Sequence, residues 1–299
     1  MTDLADALVR AAGYLASVAL LAVPVARRLL PAEAWKDLAG PLATWARRTC
    51  PVVIVAGIVL LATSATEPVL TIRSLLGRVP FDLLLDFVRD TTSGRAVLVR
   101  AASALVLTVL VLRSLPPRSP PGRGATLGTS LAAVALFASF AYAGHAAVMD
   151  GFAPIAAAVV HMAAATVWVA AVALLAVLPI WRRDRRSLLR VAVARTSRIG
   201  VAAVATLAAT GSYATTLHVG SWDGLTGTAY GIAWWVKIGA VLVTVGIAAV
   251  QRLHHLPALG RRPSSAPRPG FRTLLAIEAV VLAAVLLITS VLATRAPPH

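Results

Sequence analysis

Apolar runs of about 20 residues recur eight times along this chain, and that repetition constrains its fold more than any motif does. They lie near residues 6–27, 51–69, 95–114, 126–148, 155–180, 199–218, 229–251 and 273–294. Twenty helical residues rise about 30 Å, the thickness of a bilayer's hydrocarbon layer. Inside that layer every backbone N–H and C=O must find its partner within the protein, which leaves helices or a closed barrel. A barrel would read as alternating strands of about ten residues, whereas these runs are continuous. The expected fold is all-α: a polytopic membrane protein, a bundle of eight transmembrane helices. Hydrophobic residues at 59% and charged residues at 13% agree with this, since soluble domains carry about 25% charged residues.

The net charge of +16 raises the question of nucleic acid. Such a partner needs a basic face on a soluble domain, and no such domain is visible, so no nucleic-acid partner is expected. The distribution of the basic residues points elsewhere. Loops 27–50, 113–125, 182–198 and 252–272 hold 20 of the 28 Arg and Lys residues, and the intervening segments hold five. Arg10, Arg100 and Lys237 fall within the runs. Cytoplasmic loops are the basic ones, so the basic loops are expected inside and both termini outside, with the first helix retained rather than cleaved.

The chain reads as one integral membrane domain over residues 1–299, with helices 1–3 in 1–125 and helices 4–8 in 126–299. Residues 80–91, "PFDLLLDFVRDT", are too short to cross. Asp82, Asp86 and Asp90 recur every fourth residue between Phe81, Leu84, Leu85 and Val88. That pattern describes an amphipathic helix lying on the outer membrane surface. The one cysteine, Cys50, rules out an intrachain disulfide and a thiolate cluster. It is read as a structural thiol near the inner face.

The stretch "GHAAVMDGFAPIAAAVVHM", residues 144–162, gathers two of six histidines and two of three methionines. His145 falls near the outer end of span 4, roughly 5 Å deep, and His161 about two turns into span 5, roughly 10 Å deep. The connecting loop is short, so the two helices are antiparallel neighbours. Met149 is four residues after His145 and would share its helix face; Met162 is rotated about 100° from His161. Imidazole with thioether suits copper, and Cu(I) more than Cu(II). Hard ions want several carboxylates, and only Asp150 is near. The plain alternative is that the histidines hydrogen-bond neighbouring helices and the methionines fill gaps. Thr210, Ser212 and Tyr213 on span 6 could line a polar route. His254 and His255 read as solvated residues of the inner face, and His299 as terminal.

Lys237, about two turns into span 7, and Glu278, about two turns into span 8 from the other side, should both avoid lipid. Their depths differ by roughly 10 Å, which argues against a direct bridge.

The second half of the chain resembles the CopD (PcoD) family of bacterial copper-resistance and copper-uptake membrane proteins. The matching pieces are "GHA" at 144–146, "HMAAATVWVAAVALL" at 161–175, "RTSRIGVAAVATLAATGSY" at 195–213, "TAYGIAWWVKIGAVLV" at 228–243, "QR" at 251–252, and Glu278 followed by "APP". The family's "RFS", "NR" and "GG" stand here as "RTS", "QR" and "AA". The resemblance implies an eight-helix protein of the bacterial inner (plasma) membrane linked to copper movement into the cell. It marks His145, His161, Trp168, Lys237 and Glu278. It also implies a separate extracytoplasmic, CopC-like copper donor. The expected function is copper transport rather than enzyme catalysis. Two alternatives stand beside it: electron transfer through b-type haem, with His161 and His218 as a fallback ligand pair, and a copper-delivery assembly factor that binds without flux.

Overall fold

The computed structural model describes residues 2–31, 34–37, 39–115, 122–182, 185–218, 223–261 and 270–295. They form α1 (Thr2–Leu29), α2 (Ala34–Asp37), α3 (Ala39–Leu76), α4 (Phe81–Asp90), α5 (Thr92–Arg113) and α6 (Arg123–Tyr142). A 3₁₀ turn, His145–Val148, leads to α7 (Ala153–Val177) and α8 (Arg186–His218). Then come α9 (Asp223–Thr226), α10 (Ala229–Val250), a π-turn (Gln251–His255), α11 (Leu256–Arg261) and α12 (Gly270–Ala293). Among the described residues no strand occurs, and eight helices are long and apolar enough to cross a membrane. The eight expected spans are therefore present, each overlapping its predicted range.

Several helices outrun the apolar cores that announce them. The second crossing helix covers Gly40–Leu76 and the sixth Arg186–Leu217. Much of what reads as basic loop, at 40–50 and 186–198, is helix extending past the hydrocarbon. Arg and Lys are good helix formers, so charge marks the membrane boundary rather than the helix end. Pro24, Pro51 and Pro68 all lie inside helices. Neighbouring helices and hydroxyl groups make such breaks tolerable in a membrane.

The fourth crossing helix is shorter than expected. The apolar run suggests continuation to residue 148, but α6 stops at Tyr142. Gly144 then turns extended (φ −117°, ψ −173°). A Cβ there would come within 3.2 Å of the Phe140 carbonyl oxygen, so glycine lets the chain fold back closely at this point. Helix α7 begins at Ala153 with Pro154 in its first turn, where proline's missing N–H costs nothing.

Helix α7 is the central helix, packing against α1, α6, α8 and α12. Its residues Val169 to Val172, with Leu174 and Leu175, are all buried. Alanines along this helix let its neighbours approach closely. The sheath on its N-terminal-half side is α1, α3, α5 and α6, each in contact with the next; on the other side stand α8, α10 and α12. Alternation of eight crossings puts the starts of α1, α5, α7 and α10 at one end, with the ends of α3, α6, α8 and α12. That end also carries α4, the predicted amphipathic helix, which buries none of its residues.

The opposite end gathers arginines that cap helix carbonyls. Arg27 donates to the Ser114 carbonyl at 2.6 Å, just past α5, and Arg272 to the Ala176 carbonyl at 3.0 Å near the end of α7. Arg186 reaches the carbonyls of Ala258 and Leu259 at 3.1 and 3.2 Å. These last-turn carbonyls have no partner within their own helices, and a cation there also meets the negative end of the helix dipole. The basic residues that suggest topology are thus also part of the fold.

Candidate functional site

His161 stands on α7 eight residues below its first residue, about 12 Å along the axis. It is half-buried and faces α8. Its Nδ1 lies 2.8 Å from Thr210 Oγ1. Thr210 in turn donates its hydroxyl proton to the Thr206 carbonyl, at 2.7 Å. Beside Thr210, Gly211 offers no side chain, and the position of its missing Cβ is 3.7 Å from His161 Cε1. Lys237 on α10 lies within electrostatic reach of the imidazole. Among the described residues Lys237 makes no hydrogen bond or ion pair. His161 and Thr210 therefore meet in the α7–α8 seam, with Lys237 of α10 in electrostatic range rather than in contact.

Two turns further along α7, Trp168 is almost fully buried, at 3% exposure, among the core residues. Its indole Nε1 is 3.3 Å from where a Cβ on Gly200 would stand. Glycine at 200 makes room for the ring. The indole fills the α7–α8 seam on the side of His161 away from the α4 end.

The other predicted ligands fare unequally. The backbone of His145 opens the 3₁₀ turn, and its side chain lies outside the described residues, as does that of His218; His299 is also outside them. Met149 follows the turn in extended conformation (φ −90°, ψ 144°). It does not share an α-helical face with His145, because α6 has ended at Tyr142. The expected shared face is therefore absent, and the pair sits on and just after a 3₁₀ turn instead. Met162 packs, half-buried, against the hydrophobic core, beside α7's alanines. Of the three residues considered for a polar route, Thr210 faces His161, while Ser212 and Tyr213 are exposed. Among the described residues no group of three or more His, Cys, Asp or Glu side chains converges as a metal cage.

Glu278 is buried, at 2% exposure, and bonds to Gln251 rather than to Lys237. The Gln251 amide donates to Glu278 Oε2 at 2.6 Å. Gln251 is the first residue of the π-turn. His255, the last, stacks on Phe271 with ring centroids 4.7 Å apart. His254 is exposed, as expected, and Cys50 is half-buried in α3.

The sequence reading did not foresee a second polar centre. Glu67 on α3 is buried between Arg100 on α5 and Arg10 on α1. Arg10 approaches to 3.2 Å, and Arg100 is in direct contact with the other carboxylate oxygen. The Arg100 guanidinium also lies 4.1 Å from the Phe140 ring centroid and bonds Ser139 on α6. Three helices thus meet at one carboxylate, and α6 joins them through Arg100. The signal lay in Arg10 and Arg100, two cations inside apolar runs that need an anion at the same depth; Glu67 is the acid within span 2, near its end.

Fold and site together define a polytopic α-helical membrane protein with buried polar centres, one of them built on a histidine of the central helix. Residues 190–292 match the family model described as copper resistance protein D, and residues 1–155 match its companion, the copper resistance protein D-like N-terminal domain. The chain belongs to the copper resistance protein D (CopD) family. Its N-terminal half carries the family's own N-terminal domain, beyond the second-half resemblance seen in the motifs. His145 lies in the match over 1–155 and Lys237 and Glu278 in the match over 190–292, while His161 and Trp168 fall between them. No curated protein and no solved structure matches the chain. Family membership makes this a multi-pass membrane protein of copper resistance.

Proposed function

We propose that this protein is a copper permease of the bacterial inner membrane, with the α4 end and both termini on the extracytoplasmic face. It takes copper from that face at a site containing His161 and moves it toward the cytoplasm. The observation that carries this reading is the imidazole on the central helix, held by Thr210 about 12 Å below the α4 end, in a chain of the copper-resistance family. His145 and Met149, on the short connection above α7, supply further soft ligands, with Met162 beside His161. Copper arrives from a separate CopC-like donor.

Lys237 favours the monovalent ion. Coulomb repulsion from its ammonium scales with the charge of the bound ion, so Cu(I) is opposed half as strongly as Cu(II). Imidazole and thioether are also ligands that Cu(I) accepts readily. Trp168 closes the seam below the site, so passage requires α7 and α8 to part there, and the site is loaded before the path opens.

Copper uptake into proteoliposomes carrying the wild type, His161→Ala or His145→Ala tests the proposal, alongside Cu(I) titration of the same proteins in detergent. Flux and tight binding in the wild type, both lost in His161→Ala, are expected. Binding without flux would replace the permease by a copper-delivery factor. Equal binding in all three would remove the histidines from the site. Orientation is checked in a Cys50→Ser background with membrane-impermeant thiol reagent on intact cells: Asp82→Cys should label and Ser187→Cys should not.

A further inference from the structure

We infer that Thr210 fixes the tautomer of His161 and thereby selects Nε2 as the nitrogen that meets copper. This rests on the copper reading of His161 given above. A threonine hydroxyl has one proton to donate and lone pairs to accept with. The Thr210 proton goes to the Thr206 carbonyl, one helical turn back, at 2.7 Å. Toward His161 Nδ1, 2.8 Å away, Thr210 Oγ1 has only lone pairs to offer. A hydrogen bond at that distance therefore needs the proton on Nδ1. In a neutral imidazole the other nitrogen, Nε2, then carries the free lone pair.

Metal-binding histidines are commonly oriented in this way, by a partner that accepts the N–H of the ring nitrogen not facing the metal. Here the acceptor is a hydroxyl anchored to its own helix backbone, so the ring cannot reverse its tautomer without losing a bond in an apolar setting. Gly211 completes the arrangement. Its missing side chain leaves the Cε1 edge of the ring uncrowded, with only ordinary contact distance to spare at 3.7 Å. Cε1 lies between the two nitrogens, so a branched side chain at 211 would press on the edge next to Nε2. Thr206, Thr210 and Gly211 thus act as positioning residues on α8 for a ligand on α7.

The test reads the tautomer and the metal separately. Full-length protein in detergent, labelled with ¹⁵N-histidine and free of copper, is compared with His161→Gln to identify the His161 signals. The expected wild-type pattern is a protonated Nδ1 and an unprotonated Nε2. Thr210→Ser should keep that pattern, and Thr210→Val should lose it. In Cu(I) competition titrations Thr210→Val should weaken binding about 10- to 100-fold, the range seen when such orienting partners are removed, and Thr210→Ser should stay close to wild type. A protonated Nε2 in the wild type overturns the inference whatever the copper data show. So does undiminished affinity in folded Thr210→Val. If the wild type binds no copper yet shows the Nδ1–H form, the copper reading falls while the tautomer assignment is supported. Should Thr210→Val fail to fold, the wild-type and Thr210→Ser spectra still decide.

Discussion

Glu67 on α3 pairs with Arg100 on α5 inside the bundle, and its carboxylate also reaches Arg10 on α1 at 3.2 Å. This centre and the histidine site lie at one depth. Arg10, Arg100, His161 and Lys237 each stand eight residues below the first residue of their helices, and Thr210 eight before the last of α8. At 1.5 Å per residue all are about 12 Å below the α4 end. The two centres therefore share one register along the crossing helices, one beside the central α7 and one on it. The first is an ion-paired junction of helices. The second is a histidine whose Nδ1 lies 2.8 Å from Thr210 Oγ1.

The first prediction concerns that junction. Glu67→Gln removes the anion between the buried Arg100 and the half-buried Arg10. Breaking a buried pair in this way costs about 3–5 kcal/mol, because the remaining charge is left without a partner. Thermal unfolding in detergent should show this loss, and Cu(I) affinity of the surviving folded fraction should stay near wild type. A variant as stable as wild type would show that the carboxylate does not hold α1, α3 and α5 together.

The sequence makes the eight crossings legible because the bilayer imposes a length that apolar runs must match. It also exposes His161 and Lys237, since a polar residue amid Ala, Val and Leu stands out at any depth. Three things escape. Glu67 falls within span 2, near its end, and its role shows only when the guanidiniums opposite it are seen. The end of α6 is hidden because Ala143 to Val148 is as apolar as the helix before it, and only the fold-back at Gly144 stops the helix. Gln251 is uncharged and lies at a span end, so nothing in the pattern marks it as the partner of Glu278. In each case the missing information is a contact between distant segments, which periodicity along one helix does not contain.

Close approach of α3 and α5 supplies the second prediction. A Cβ on Gly57 would come within 2.3 Å of Thr108 Oγ1 and 3.1 Å of its Cγ2. Gly57→Ala should therefore destabilise by about 1–3 kcal/mol, the usual cost of overpacking. Thr108→Ala removes the obstructing atoms and should restore most of that loss in the double variant. A double-mutant cycle by thermal unfolding measures the coupling. Purely additive effects would mean that the helices separate freely at this point.

Gly94 supports a third. Thr91 caps α5 by accepting from the Gly94 N–H at 2.9 Å, and α4 folds back so closely that a Cβ on Gly94 would stand 2.0 Å from the Phe87 carbonyl oxygen. Backbone cannot yield as a side chain can, so Gly94→Ala must lift the end of α4 away from α5. Trypsin cleavage at Arg89 and Arg95 should accelerate in this variant, with the rest of the bundle unaffected. Unchanged cleavage would show that α4 is not held by this contact.

The last prediction concerns Glu278 and Gln251, joined across α12 and the π-turn at 2.6 Å. Both side chains are buried, at 2% and 8% exposure. Removing one member leaves the other's polar group buried without its partner, which costs about 1–3 kcal/mol. Replacing both by apolar residues of similar size removes the unmet demand and is often nearly neutral. Gln251→Leu and Glu278→Leu should each lower thermal stability in detergent, and the double variant should be more stable than either single one. The π-turn gives this test a local readout as well. It begins at Gln251 and carries His255 onto the Phe271 ring, so losing the amide's anchor should loosen that stacking and raise hydrogen exchange across 251–255. Additive destabilisation with unchanged exchange would mean that the bond to Glu278 neither couples the two helices nor holds the turn.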